Sequence, residues 1–521
     1  MKKTLEKQNT VGSILCAAYL ALLGLALPLA VHDAYFDVTR TKAIVFWLLA
    51  GTLLLGAVLW LCLERGGRRA LSPFTLPDRL FLAFVLTQIV STLLFRRGAG
   101  GFLAADNRYQ GILSFALYGC VFLLLRRFGK LSALVRFALG LGFSLAALLG
   151  VLDVFGADIL GLRAVSPEEE RVRFLSTVGN VSFFGALCVL FLPLAAYRAL
   201  SAEDLREALP CVLCALLALC GGMAARTEGF VLGALCFFAV LPLLCRDGAA
   251  LRRVPLLWAV AAAAALLFCL IMRRWALYRP SELTRLLCAP ALMLPLCLAA
   301  AAAFLALRRA DVQTVELARM VYIILFWVLA ALLALFLLLA NALWRDRLPA
   351  ALASIVVFSP SWGTDRGAEW VSFWQMFRAA SPLQKLLGSG AGSVAAWDRA
   401  HRLFSDAVTD SAHNEYLHYL LTGGLVGLGA YLALLVCALR KTLRAPSRGR
   451  TAAALAALSY AAQAAVNIAQ PFTTPLFFAL LALLLSDGAF PEEEEKPAVF
   501  WYVALCALAA VLLIAAAAAA R

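Results

Sequence analysis

The sequence predicts an all-α, multi-pass membrane protein, and three observations support that prediction. Of the 521 residues, 63% are hydrophobic and 15% are charged, whereas a soluble globular chain is roughly half apolar. Apolar stretches of about 17–25 residues recur, each long enough to cross roughly 30 Å of hydrocarbon as a helix. No ten-residue alternating pattern indicates a barrel, so helices that satisfy their own backbone hydrogen bonds are the expected spans.

Charged or Gly/Pro-containing segments separate the apolar stretches, and we expect about 12–15 transmembrane helices. Residues 1–343 form a predicted N-terminal transmembrane bundle of about 11 spans. Residues 344–412 form one long loop, and residues 413–521 supply the C-terminal transmembrane helices. The candidate spans lie near 11–30, 42–63, 78–95, 111–125, 131–154, 181–200, 208–223, 228–245, 254–272, 286–307, 318–343, 413–438, 451–468, 471–486 and 498–519.

The basic residues of short loops predict the orientation of the chain. With a cytoplasmic N-terminus, most of them collect on the cytoplasmic side, including the cluster from Arg440 to Arg450, and the 344–412 loop lies outside. The first apolar run is long enough to remain as a span after Lys2, Lys3 and Lys7, so no cleaved signal is expected. We therefore predict a multi-pass protein of the cell (plasma or inner) membrane with an extracytoplasmic loop.

One short loop runs against this orientation, because four arginines of the segment 273–285 fall on the outer side: Arg273, Arg274, Arg279 and Arg285. Either a span is miscounted, or these arginines face an outer anionic ligand.

The net charge of +15 is spread over loops on both sides, so membrane lipids rather than nucleic acid are the predicted partners. The 14 cysteines fall almost wholly in apolar runs, and no disulfide framework is expected in the long loop.

The long loop contains predicted structure of its own. Aromatic residues recur at helical spacing within 366–378, opposite Gln375 and Arg378, and predict a helix lying on the bilayer surface with its rings at head-group depth; they are Trp370, Phe373, Trp374 and Phe377. The glycine-rich segment 388–393 predicts a flexible turn after it. Asp410 or Ser411 is expected to cap the helix that starts near His413.

His413 is the first candidate for chemistry, as one of four histidines in the chain. Imidazole titrates near neutral pH and is able to take a proton from a sugar hydroxyl as a general base. The alternative is an interfacial histidine satisfied by loop carbonyls. Asp410 is a candidate for orienting the ring. Asn414 is adjacent, and Tyr416 or Leu417 shares its helix face; Asn414 and Tyr416 are candidate substrate contacts.

Three arginines are predicted on the same outer side as His413. Arg226 stands alone in its short loop, and a guanidinium binds phosphate bidentately while staying charged; the alternatives are a snorkelling residue or a pair with Glu228. Arg366 opens the surface helix, and Arg108 lies in the segment 106–111. A lipid-linked phosphate donor would present itself on this side.

Several of these motifs together resemble the superfamily of O-antigen ligases and polymerases. The most specific is His-Asn-Glu-Tyr-Leu at 413–417, followed by a Gly-x-x-Gly continuation at 424–427. The Arg-x-x-Glu-Trp element at 366–370 and the Gly-x-Gly-x-Gly turn at 388–392 are similar to the family's outer helix and turn. The segment 226–229 is similar to its arginine-containing helix mouth, with Ala225 where the family usually has serine.

The resemblance implies an all-helical fold of the GT-C type and a metal-independent, inverting glycosyltransferase that uses no cofactor. Its donor would be a saccharide on an undecaprenyl-pyrophosphate carrier, and its acceptor a hydroxyl of a glycan, lipid or protein. His413, Arg226 and Arg366 would be catalytic. Arg108, Asn414, Tyr416, Trp370 and Arg378 would contact substrate.

Two alternatives to an O-antigen ligase-like activity remain open from the sequence. A repeat-unit polymerase of the same superfamily uses the same donor chemistry and differs only in its acceptor. A lipid-linked oligosaccharide flippase or transporter would also have many spans, but it gives no reason for a long structured loop ending in His413.

Overall fold

A computed structural model describes residues 2–63, 73–96, 100–363, 365–401, 409–491 and 499–519. This part of the chain is almost entirely helical, with one two-stranded antiparallel sheet that pairs β1 (Phe174–Leu175) with β2 (Gly179–Asn180). The helices are α1 Lys2–Leu29, α2 Val38–Leu63, α3 Leu76–Phe95, α4 Gly100–Leu103, α5 Ile112–Phe128, α6 Ala133–Val154, α7 Val181–Ser201, α8 Leu205–Ala225, α9 Glu228–Leu244, α10 Gly248–Trp275, α11 Glu282–Leu287, α12 Pro290–Leu307, α13 Val312–Ala342, α14 Ala350–Val356, α15 Arg366–Ala379, α16 Pro382–Leu387, α17 Ser393–His401, α18 Glu415–Arg444, α19 Arg448–Ala464, α20 Thr473–Leu485 and α21 Val499–Ala518.

The prediction of an all-α, multi-pass membrane protein is confirmed. Eleven helices of the described part are long and apolar enough to cross a membrane, and a bent pair, Gly100–Asn107 with Ile112–Phe128 at 97°, would make twelve. The helices α9 and α20 are apolar but shorter. Every predicted span overlaps a helix, although the predicted span 286–307 begins within the separate short helix α11.

The centre of the bundle is formed by α7, α19 and α20, whose side chains are mostly buried. The alanine-rich sequence of α19 allows its neighbours to approach closely, because small side chains let helix backbones pack together. A Cβ placed on Gly233 of α9 would lie 3.0 Å from the Ser459 carbonyl oxygen of α19. At the periphery, α12 and α13 expose almost all of their apolar side chains, as helices that face lipid do.

A buried lysine joins the first two helices to the segment that precedes α7. The Lys42 side chain is 1% exposed, and its ammonium donates to the carbonyl oxygens of Pro28, Ala30 and Thr177 at 3.1, 2.8 and 2.9 Å. An ammonium has three donors, and all three are used. Lys42 therefore fixes the end of α1 and the turn between β1 and β2 on the same side of the bundle.

The helix α18 is broken at Gly424, which has a left-handed φ of +70°. In a straight helix, Glu415 and Tyr431 would be about 24 Å apart along the axis. The Tyr431 hydroxyl instead donates to the Glu415 carboxylate at 2.8 Å, and the rings of Tyr419 and Tyr431 are 5.1 Å apart. The segment 415–423 is therefore a half-helix folded back on the segment 425–444.

The glycine-rich turn predicted to be flexible is packed against this break. The amides of Ser389 and Gly390 donate to the carbonyl oxygens of Leu421 and Thr422 at 2.8 and 3.1 Å, which the break leaves without helical partners. Gly388 has a φ of +90°, and a Cβ there would lie 2.1 Å from the Thr422 oxygen. Only glycine fits this approach.

Candidate functional site

The helix α15 carries one wall of the candidate site, and its orientation differs from the sequence prediction. Phe373 is wholly buried in a small core with Met376, Val394, Ala412 and Leu421. The prediction of one aromatic stripe at head-group depth is therefore wrong for Phe373, because the loop packs its own apolar cluster beneath this helix.

The remaining face of α15 is exposed and includes Trp374, Gln375 and Arg378. Arg378 lies nine residues after Glu369, and nine residues at about 100° each place the two on opposite sides of the helix. The structure thus does not bring Arg378 to the candidate site.

Trp370 ties α15 to the segment that precedes His413. Its indole nitrogen donates to the Ala412 carbonyl oxygen at 2.9 Å, and its ring lies 5.3 Å from that of Trp362. Trp370 therefore holds the backbone next to His413 against the first turns of α15.

His413 and Glu369 form the polar pair at the centre of the site. The His413 Nδ1 atom is 3.0 Å from a Glu369 carboxylate oxygen, and the two side chains are 32% and 10% exposed. Because Glu369 occupies Nδ1, the ring nitrogen left for a substrate is Nε2. His413 has a left-handed φ of +45°, a conformation that is uncommon outside glycine and is enriched at functional sites.

The expectation that Asp410 orients His413 is wrong. Both Asp410 carboxylate oxygens accept from the Arg108 Nε at 2.9 Å, so Asp410 and Arg108 are partners of each other. Glu369 takes the orienting position instead. Its sequence signal was its place one helical turn after Arg366, on the same face of α15.

Arg366 interacts with two carboxylates. It is half-buried, and it interacts electrostatically with Glu369 on its own helix and with Glu228 at the start of α9. Burial lowers the pKa of the Arg366 guanidinium, and the two carboxylates act in the opposite direction. An arginine in this setting stays charged, so Arg366 links the His413–Glu369 pair to the first turn of α9.

Arg226 ends α8, two residues before Glu228, with a left-handed φ of +57°. Its guanidinium donates to the Val172 carbonyl oxygen and lies 4.7 Å from the centre of the Tyr278 ring. Burial lowers the pKa of Arg226, as does the neighbouring Arg163, while Tyr278 raises it. Arg226 is thus fixed by a carbonyl and an aromatic face, with no carboxylate bonded to it in the described residues.

The end of α19 is the common wall that brings these elements together. The Tyr416 hydroxyl, in the first turn of α18, donates to the Ala461 carbonyl oxygen. Gly229, in the first turn of α9, lies against Gln463 and Asn467. A Cβ placed on Gly229 would lie 3.4 Å from the Gln463 amide oxygen and 3.5 Å from the Asn467 amide nitrogen. The N-termini of α9 and α18 therefore lie at one end of one helix.

The N-termini of α9, α15 and α18 lie in this region, with Arg366 at the start of α15. Arg226 lies two residues before α9, and its guanidinium contacts Val172 and Tyr278. Helix N-termini carry partial positive charge and bind anions through free backbone amides. Glu228, Glu369 and Glu415 are the acidic groups in the first turns of these three helices.

Two other predicted residues have structural partners. Asn414, and not Asp410 or Ser411, caps α18, since its side chain accepts from the Leu417 amide at 3.0 Å. Tyr416 is bonded to α19 as described. Among the described residues, no group of three or more His, Cys, Asp or Glu side chains is placed to hold a metal ion.

No protein-family model matches the chain, and no curated protein matches its sequence.

Proposed function

We propose that this protein is a glycosyltransferase of the outer face of the cell membrane, which moves a saccharide from a polyprenyl diphosphate carrier to an acceptor hydroxyl. The observation that carries the proposal is the pair of His413 and Glu369 at 3.0 Å beside Arg366. The motif resemblance of the segments 366–370 and 413–417 supports the same reaction.

In this proposal His413 is the general base. Glu369 accepts a hydrogen bond from Nδ1–H, which leaves the Nε2 lone pair for the acceptor hydroxyl. As the acceptor oxygen attacks the anomeric carbon, its proton passes to Nε2. The bond from that carbon to the carrier oxygen breaks, and its electron pair leaves with the diphosphate, with inversion at carbon. The Glu369 carboxylate then stabilises the imidazolium.

Arg226 and Arg366 stabilise the departing diphosphate. Charge grows on the leaving oxygen during the reaction, and preorganised donors aimed at such charge typically contribute about 10²–10³ in rate each. General-base help is worth on the order of 10²–10⁴. The two arginines and the three helix N-termini therefore supply the larger share of the proposed rate enhancement.

The acceptor distinguishes a ligase from a polymerase, because the donor half of the site serves both. A ligase passes the glycan to another lipid, glycan or protein, and a polymerase passes it to a second polyprenyl-linked chain. Products with one repeat unit on a foreign acceptor would identify a ligase. Products with several repeat units on the carrier would identify a polymerase.

Replacement of His413 by alanine tests the proposal. We expect His413→Ala to lower glycan transfer by about 10²–10⁴ at an unchanged level in the membrane. His401→Ala is the matched control, since His401 is exposed and its ring contacts Trp397 within α17. Near-wild-type turnover by His413→Ala would contradict the assignment of His413 as the general base. A transporter would then account better for the many spans.

A further inference from the structure

The folded-back half of α18 carries a buried carboxylate at its first residue. Glu415 is 1% exposed and lies two residues after His413. The Tyr431 hydroxyl, from the other half of α18, donates to one carboxylate oxygen at 2.8 Å, and the Tyr460 hydroxyl, from α19, donates to the other at 3.2 Å. Both oxygens of Glu415 are thus bonded to parts of the bundle outside its own half-helix.

The two tyrosines that hold Glu415 are themselves fixed by packing. Both are fully buried. The Tyr431 ring lies 5.4 Å from that of Phe84 on α3, and the Tyr460 ring stacks on that of Phe477 on α20 at 4.1 Å. The two hydroxyls therefore have fixed positions, and they connect the half-helix 415–423 to the packed centre of the bundle.

Packing alone does not require an acid at this position. An ionisable side chain inside a membrane-spanning bundle costs free energy, and well-packed apolar side chains of similar volume often replace buried polar groups without loss of stability. A fully bonded polar cluster, in contrast, fixes one arrangement of the segments that it joins. We therefore look for the function of Glu415 in the arrangement that its hydrogen bonds impose.

The residue that this arrangement places is His413. Its left-handed φ of +45° is a conformation that persists only where the surrounding structure holds it. On one side of His413, the Ala412 carbonyl oxygen accepts from the Trp370 indole at 2.9 Å. On the other side, the first firmly bonded side chain inside the bundle is that of Glu415. The backbone of His413 is thus held between α15 and the tyrosine pair.

We propose that Glu415 is a positioning residue: its hydrogen bonds to Tyr431 and Tyr460 hold the half-helix 415–423 where the His413 ring meets Glu369. Glu415 has no contact with substrate in this proposal and acts through the place of the His413 backbone. The inference rests on the proposed function for its effect on glycan transfer. The contact between His413 and Glu369 is measurable without transfer.

Isotope labelling of the histidine ring nitrogens, read by NMR, reports this contact directly. The chain has four histidines, so the full-length protein in nanodiscs gives few ring signals, and His413→Ala assigns the signal of His413. In the wild type we expect a protonated, hydrogen-bonded Nδ1. Glu415→Leu should lose this hydrogen-bonded signal, because leucine fills the space but accepts from neither tyrosine hydroxyl.

Glu415→Gln is the rescue variant. The glutamine oxygen accepts from one tyrosine hydroxyl, and its amide nitrogen donates to the oxygen of the other. We expect Glu415→Gln to keep the Nδ1 signal of His413 and to transfer glycan much faster than Glu415→Leu. Glu415→Leu should lower kcat by about 10²-fold, the effect of a slightly misplaced catalytic group, and leave KM for the donor unchanged.

Tyr322→Phe is the matched control. It removes another tyrosine hydroxyl from the bundle, one that donates to the Ala239 carbonyl oxygen at 2.8 Å between α13 and α9. It should leave the His413 signal and kcat unchanged. A thermal melt shows whether each variant is folded. If Glu415→Leu does not fold, Tyr460→Phe replaces it, and the expected result is a weakened Nδ1 signal.

Two results would overturn the positioning role. One is an unchanged His413 signal in folded Glu415→Leu, or in Tyr460→Phe where that variant replaces it. The other is an equal loss of signal and transfer in Glu415→Gln and Glu415→Leu, since a hydrogen-bonding side chain would then not substitute for the acid.

This role and the proposed function fail separately. Glycan transfer by the wild type, with an unchanged His413 signal in Glu415→Leu, would overturn the positioning role and leave the transferase in place. Loss of the His413 signal in Glu415→Leu, with no transfer by the wild type, would support the positioning role and count against the transferase.

Discussion

At the scale of single residues, the proposed chemistry depends on which nitrogen of His413 is free. Glu369 contacts Nδ1 at 3.0 Å, and a carboxylate in that position holds the tautomer whose Nε2 carries the lone pair. Arg366 lies on the same helix face as Glu369 and interacts electrostatically with it. The proposed base, its orienting carboxylate and the proposed anion-binding guanidinium are thus contributed by α15 and by the segment just before α18.

Arg366→Lys should lower kcat/KM for the polyprenyl-linked donor by about 10²-fold. Lysine keeps the charge but lacks the planar fork that binds two phosphate oxygens. Arg378→Lys on the opposite, exposed face of α15 is the control and should leave kcat/KM unchanged. A kinetic assay with purified protein measures both, and equal effects of the two substitutions would contradict a specific role for Arg366.

The sequence predicted His413, Arg226 and Arg366 as candidates, but it favoured the wrong carboxylate. Asp410 is three residues from His413, and this proximity in the sequence made it the predicted orienting carboxylate. Glu369 is 44 residues away, and only the packing of Trp370 on Ala412 brings its helix to His413. The spacing of neighbouring residues in the sequence does not predict a contact between Glu369 and His413.

At the scale of elements, the break at Gly424 positions the site. A continuous helix from 413 onward was expected, and the structure has a half-helix 415–423 that returns on the rest of α18. Glu415 is held by the hydroxyls of Tyr431 and Tyr460 at 2.8 and 3.2 Å. Consecutive glycines at 423 and 424 were the available sequence signal, but apolar periodicity continues across them and conceals the break.

Gly388→Ala should destabilise the protein and lower transfer. The alanine Cβ would meet the Thr422 carbonyl oxygen at 2.1 Å, and φ is +90°, so the Gly388 turn would have to move away from the break at a cost on the order of 1–3 kcal/mol. The melting temperature in detergent, measured with transfer activity, checks this prediction.

Gly429→Ala is the control on the same helix, because nothing lies within 4 Å of a Cβ there. It should keep or slightly raise the melting temperature, since alanine favours a helix interior by about 0.5–1 kcal/mol. A Gly388→Ala variant as stable and active as Gly429→Ala would contradict the packing of the turn on the broken helix.

At the scale of the whole molecule, the two ends of the bundle differ in chemistry. The end that carries the candidate site contains His413 and Arg366, and Arg226 lies there at the end of α8. At the far end of α18, Lys441 binds Asp487 at 2.6 Å, and the start of α3 is bound to the end of α5 through Asp78 and Arg126 at 2.8 Å. The composition and the lengths of the apolar stretches predicted the membrane-spanning helices of this bundle well. The thickness of the hydrocarbon layer fixes the length of a spanning helix independently of its tertiary contacts.

The proposed orientation places the 344–412 loop outside the cell. A cysteine introduced at the exposed Ser381 should react with a membrane-impermeant maleimide in intact cells. A cysteine at the exposed Ala445, after α18, should react only once the cells are permeabilised. The parent chain with its own cysteines gives the background, and the reverse pattern would contradict an outer-face transferase.

The most direct measurement of the central claim is a double-mutant cycle on glycan transfer with His413→Ala, Glu369→Gln and the two together. If Glu369 acts through the imidazole, each single change lowers kcat, and the double variant is no slower than His413→Ala alone, because residues that work as a unit are non-additive. Losses that multiply in the double variant would show two independent roles and contradict the proposed His413–Glu369 base.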